Sequence, residues 1–203
     1  MKKQSAGFTI VELMIATTVL SVILLLVTVV MTGIGRLYYK GINQSRIQSN
    51  ARSITAQMAQ DVQLSSNTPS KGSAVVSGKA VQVICVGNVR YTYVVNNKIN
   101  TNGYKHVLWR DTPAGGCSVA AGADLTQATP SAGDELISPS SRLTKLDFPP
   151  MTSGLQKLQL GIAYGDDDLL TTTDPVQCKG GSSTQFCATS NLSTVVVQRV
   201  TNN

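Results

Sequence analysis

From Leu13 to Gly35 the chain reads "LMIATTVLSVILLLVTVVMTGIG", 23 residues without a formal charge. As a helix rising about 1.5 Å per residue, that run reaches roughly 35 Å, enough to cross the hydrocarbon core of a bilayer. A secretory signal has a shorter apolar core, about 7–15 residues, followed by a small-residue cleavage site. Here the run closes on "TVVMTGIGRLYY" with no such site, and no cysteine stands near the N-terminus to take a lipid. The reading is therefore an N-terminal membrane-spanning helix, with every other element folding behind it.

One acid, Glu12, stands at the head of this run. A charged side chain at the middle of a membrane helix costs about 2.5–3.5 kcal/mol on insertion scales, and such acids generally have a partner. Near the end of the span the cost is smaller, but the acid still lacks an obvious counter-charge within the run. Lys2 and Lys3 precede the span and Arg36, Lys40 and Arg46 follow it, so charge asymmetry alone leaves the orientation open.

The residues before the acid narrow the choice. "MKKQSAG" followed by "FTIVELMIATTVLSVILLLV" resembles the class III signal of type IV prepilins and of the pseudopilins of type II secretion. In that family a short basic leader ends in Gly, cleavage falls on the cytoplasmic side before a Phe, and the new N-terminus is methylated. Gly7 and Phe8 match the cleavage and methylation positions, and Glu12, fifth after the cut, matches the family's glutamate. The resemblance thus orients the leader inward and supplies the missing partner. Cleavage leaves a cation on Phe8, and Glu12 of one subunit can meet the cationic N-terminus of its neighbour in a filament. Two unit charges about 4 Å apart attract by roughly 4 kcal/mol at an effective dielectric of 20, before desolvation is subtracted.

The implied organisation is a leader over residues 1–7, a transmembrane helix over 8–35, an amphipathic helix over 36–64 and a β-rich globular domain over 65–203. The fold class is α+β, pilin-like, with a long N-terminal helix packed on an antiparallel β-sheet. The expected helix is curved and runs from about Phe8 to Leu64, with Gly33, Gly35 and Gly41 as weak points. In its second half Ile47, Ala51, Ile54, Met58 and Val62 recur at steps of four, three, four and four, an apolar stripe suited to packing on a folded domain. Pro69 and Gly72 in "SSNTPSKGS" mark its end. Strands are expected at "VQVICV", "VRYTYVV", "KHVLWR", "LQKLQLGIAY" and "TVVVQRV", which are β-branched, aromatic or alternating. Residues 111–135, dominated by Ala, Gly, Ser, Thr and Pro, read as a long surface loop.

Composition agrees with an exported protein of ordinary size. Of 203 residues, 196 remain after the leader is lost, and the formal charge of +6 falls to +4 with Lys2 and Lys3 gone. No basic run with interleaved aromatics appears, so the usual footprint of nucleic-acid binding is absent, although some pilin-family members bind DNA during uptake. Cys85, Cys117, Cys178 and Cys187 all follow the span, which would deliver them to an oxidising compartment. Four cysteines allow three connectivities. "CKGGSSTQFC" can close Cys178 on Cys187 through its Gly pair, a choice the disulfide-closed C-terminal segment of many pilins supports, and Cys85 with Cys117 then remains. Zinc is disfavoured by the lack of a C-x-x-C pair and by a single histidine.

Asp166, Asp167 and Asp168, with Asp174 beyond, offer hard oxygens of the kind calcium takes, but lack EF-hand spacing and read as a solvated acidic turn. His106 reads as a surface or packing residue. No nucleophile elbow or phosphate loop is present, so no enzyme activity and no cofactor are expected.

The helix segment "RSITAQMAQDVQ", with Arg52 nine positions before Asp61, looks like the corresponding region of PilW-type minor pilins and J-type pseudopilins. Major pilins often carry a Pro in the latter half of the apolar run, and this chain has none there. The resemblance implies a minor pilin of the cytoplasmic membrane or, alternatively, a secretion pseudopilin or an adhesive or DNA-binding pilus tip. Its implied partners are other pilin subunits, prepilin peptidase, an inner-membrane assembly platform and membrane lipid.

Overall fold

The computed structural model describes residues 7–76, 79–97, 107–117, 133–138, 140–149, 155–173, 175–181 and 184–199. The chain divides into two compact units, Met1–Tyr39 and Lys40–Asn203. One α-helix, α1, spans Ile10–Leu64 and therefore contributes to both. Gly33, Gly35 and Gly41 do not interrupt it. It starts two residues later than expected, because Thr9 serves as its N-cap (below).

In the first unit the large apolar side chains from Phe8 to Tyr39 are exposed, including the whole face sequence from Leu20 to Val27. Thr17, Thr18, Ser21, Thr28 and Thr32 turn their hydroxyls back to carbonyls three or four residues earlier, at 2.8–3.0 Å. Each hydroxyl is thereby satisfied inside the helix, which removes the cost of placing it in an apolar solvent. The helix is long and apolar enough to cross a membrane.

In the second unit the buried residues of α1 are Ile47, Ala51, Ile54, Met58 and Val62, the stripe set by the sequence spacing. They pack into one core with residues from two antiparallel sheets rather than the single sheet expected. The first sheet has the order β1 (Ser70–Val76), β2 (Lys79–Val86), β3 (Val89–Tyr93), β4 (Leu108–Asp111), β5 (Gly133–Glu135). The second is β6 (Ser141–Asp147), β7 (Leu155–Tyr164), β8 (Ala188–Val197). Ile84, Val86, Tyr91 and Leu108 of the first sheet meet Leu143, Leu158, Leu160 and Ile162 of the second around the helix stripe.

Three strands were not visible as strands in the sequence. β1, "SKGSAVV", is polar because it is an exposed edge, and its conformation comes from pairing with β2 in continuous register from Ser70↔Cys85 to Val76↔Lys79. β5 lies inside the stretch read as a loop, which β4 also enters at Asp111; residues 118–132 of that stretch lie outside the described residues. β6 hides behind a bulge between Leu143 and Lys145 that breaks its period-two pattern. β8 begins at Ala188, six residues before the expected strand.

A part-buried polar lock fastens the end of α1 to the first sheet. Asp61 accepts two bonds from Arg110, Nε to Oδ2 and Nη2 to Oδ1, each 3.0 Å, and a third from the Tyr91 hydroxyl. Tyr91 and Arg110 are cross-strand partners on β3 and β4, so one carboxylate spans both strands. Burial, then the Asp61 carboxylate, push the Tyr91 phenol above its ordinary range, and the hydrogen bond to Asp61 holds Arg110 more firmly protonated. At the helix end Gly87 adopts a positive φ of 59° in the two-residue turn between β2 and β3, and a Cβ there would lie 3.2 Å from Ser65 Oγ.

Removing this carboxylate leaves a guanidinium and a phenol without their acceptor in a largely dry site. Asp61→Ala is expected to cost about 3 kcal/mol of stability, measured by denaturant unfolding of the full chain in detergent; a cost under about 0.5 kcal/mol would show that the lock is incidental.

Candidate functional site

The N-terminal site is built by a short segment ahead of α1. Phe8 is 83% exposed, and a Cβ added at Gly7 would meet nothing within 4 Å. The fold itself therefore places no steric demand for glycine at position 7. Thr9 and Glu12 form a reciprocal cap. Thr9 Oγ1 accepts from Glu12 N at 3.3 Å, while Glu12 Oε2 accepts from Thr9 N and from the Thr9 hydroxyl, both at 2.9 Å. This is the T-x-x-E capping box, whose sequence signal is "TIVE". Glu12 Oε1 takes no hydrogen bond among the described residues. One oxygen is thus committed to the helix's own first turn and the other is open.

The cysteines lie in the second unit, joined as Cys85–Cys117 and Cys178–Cys187. Cys85 shares one face of β2 with Val81 and Val83, and its bond fastens the segment after β4 to that face. Cys178–Cys187 closes a nine-residue separation and, with Ala163, Leu170 and Val176, forms a small core on the outer side of the second sheet.

Among the described residues, the acidic turn does not assemble a cation cage. Asp167 pairs with Arg142, whose guanidinium also donates to Gly165 O at 3.2 Å, and among the described residues no three His, Cys, Asp or Glu side chains cluster to hold a metal. Asp174 and His106 lie outside the described residues. Among the described residues, the carboxylate with a strongly shifted titration is Glu135 on β5, which no sequence motif singles out. Its carboxylate accepts from the amides of Leu108 at 2.8 Å, Val107 at 3.2 Å and Ile137 at 3.3 Å. Burial pushes it up to about 7 despite those three donors, which pull it down. Val107, fully buried, is held there at a φ of 69°, a strained conformation for a β-branched residue.

With this geometry in view, comparison with known proteins places the N-terminal segment. Residues 2–34 match the family model described as the prokaryotic N-terminal methylation motif. Together with the apolar helix, that match marks a type IV prepilin-like protein whose N-terminal helix is long and apolar enough to serve as a membrane anchor. Searches of curated proteins and of solved structures returned no match.

Because Glu135 holds its proton more tightly in the folded state than its ordinary value of 4.5, its contribution to stability is full below about pH 4.5 and is lost as pH rises through 7. Its loss amounts to something on the order of 2 kcal/mol, allowing for partial exposure. Glu135→Gln should flatten this slope in unfolding measurements between pH 4.5 and 8; an unchanged slope would assign the pH dependence to other groups.

Proposed function

We propose that this chain is a minor type IV pilin, cleaved between Gly7 and Phe8, methylated on Phe8 and drawn from the inner membrane into a filament whose assembly it helps to initiate or cap. The carrying observation is Glu12, which heads an exposed apolar helix with one oxygen unspent inside the methylation motif. In this reading the open oxygen meets the cationic N-terminus of a neighbouring subunit. The assembly platform of the inner membrane and other pilin subunits are the partners, and the second unit lies outside the cytoplasm, where its two disulfides persist. The absence of Pro from the latter half of the apolar run favours a low-copy subunit over the major one.

A pseudopilin of type II secretion is the second reading, because the spacing of Arg52 and Asp61 resembles J-type pseudopilins as well as PilW-type minor pilins. Asp61 has a local duty in this chain, the lock to Tyr91 and Arg110, so its presence does not by itself select that branch. Loss of twitching and surface filaments on deletion supports the first reading, and loss of exoprotein release supports the second.

The cap makes the choice of substitution matter. Glu12→Val removes the capping box and the charge together, whereas Glu12→Gln keeps a T-x-x-Q box and removes only the charge. Glu12→Gln should reach the membrane at normal levels and fall by about tenfold or more in sheared filaments. Incorporation at the level of the unchanged protein would leave the cap as the whole role of Glu12.

A further inference from the structure

The outer side of the second sheet carries a cavity of about 370 Å³. Among the residues that line it, Thr144 and Asn191 close over Gly161 in the middle of the central strand β7, where a Cβ would lie 2.5 Å from Thr144 Oγ1 and 2.6 Å from Asn191 Oδ1. Glycine inside a strand marks a place where something approaches the backbone closely, and a bulge re-aims the side chains beside it. Both devices meet here: the bulge of β6 falls between Leu143 and Lys145, and Lys145 and Asn191 flank Gly161 in register. Gln159 and Ser193, cross-strand partners one row away, complete the polar lining. Pro175 and Val176, which precede Cys178 in the chain, form an apolar wall, with Val176 packed in the same small core as Cys187.

None of the side-chain polar groups of Thr144, Lys145, Gln159, Asn191 and Ser193 makes a hydrogen bond or ion pair among the described residues. Two amides and two hydroxyls, each able to donate and accept, thus converge on one concavity with their capacity unspent. Among the described residues no carboxylate lines it, which disfavours a metal ion, and a single lysine is too little for a multiply charged anion. Alternating donors and acceptors beside an apolar wall match a ring that bears adjacent hydroxyls on its edge and C–H groups on its face. We propose that this cavity is a saccharide-binding site, with Lys145 placed to meet an acidic substituent of the sugar. The site belongs to the second unit and does not depend on entry into a filament.

The test is a glycan array covering common neutral and acidic hexoses and their oligomers, probed with the full chain in a detergent that has no sugar head group. Retention of at least one glycan is expected, weakened about tenfold by Gln159→Ala or Asn191→Ala singly and abolished in the double variant, with both disulfides and the unfolding temperature unchanged. Lys145→Ala should weaken acidic glycans alone. These side chains are not buried, and Gln159→Ala alone serves if the double variant unfolds. Retention of no glycan above the level of the double variant, or of glycans equally by every variant, would overturn the proposal.

Discussion

The first half of α1 presents an apolar surface that nothing in its own unit covers. In water such a surface drives aggregation, so lipid or the helices of other subunits must take the place of a core. The helix is prepared for that environment. Its hydroxyls are spent on its own carbonyls, its first turn is capped by Thr9 and Glu12, and its long uncharged run is free of proline. A carboxylate placed at the head of this surface, with one oxygen uncommitted, links anchoring to assembly on the proposed reading, since the counter-charge best suited to it is the amine that processing would expose.

The second unit rests on a different economy. There the same helix supplies an apolar stripe, and two small antiparallel sheets share it, so neither sheet needs a second layer of its own on that side. Polar ties then set the position of the helix. Asp61 fixes its end to β3 and β4, while Gln44 Nε2 donates to Thr189 O at 3.1 Å and Arg199 N donates to Gln63 O at 3.2 Å. Those last two bonds tie α1 to both ends of β8, a ten-residue edge strand without a charged residue, and blunt its tendency to pair with another chain. The disulfides act on the outer faces, away from the shared core, where the hydrophobic contribution is smallest.

What could be read in advance follows from how far each feature is set by local chemistry. The apolar run, the Gly7, Phe8 and Glu12 spacing and the stripe from Ile47 to Val62 are periodic or contiguous, and they stood out in the sequence. β1 and β6 did not, because one is a polar edge shaped by its partner and the other is broken by a bulge. The capping role of Thr9 is local too, since the T-x-x-E spacing of "TIVE" carries it, but the same Glu12 also fits an assembly role, so the spacing alone does not separate the two. The lock of Asp61 to Arg110, 49 residues apart, and the convergence of Thr144, Gln159 and Asn191 depend on strand register, which no local pattern reports. The acidic turn read as carboxylates facing solvent conceals an ion pair, since Arg142 reaches Asp167 from β6.

The central claim is that processing converts this chain from a membrane-anchored precursor into a subunit with a charged, methylated N-terminus beside the apolar helix. Mass spectrometry of the N-terminal peptide, taken from the filament fraction of cells, tests it most directly. The expected peptide begins at Phe8 and is heavier by one methyl group. A peptide that retains Met1 through Gly7 in that fraction would contradict it.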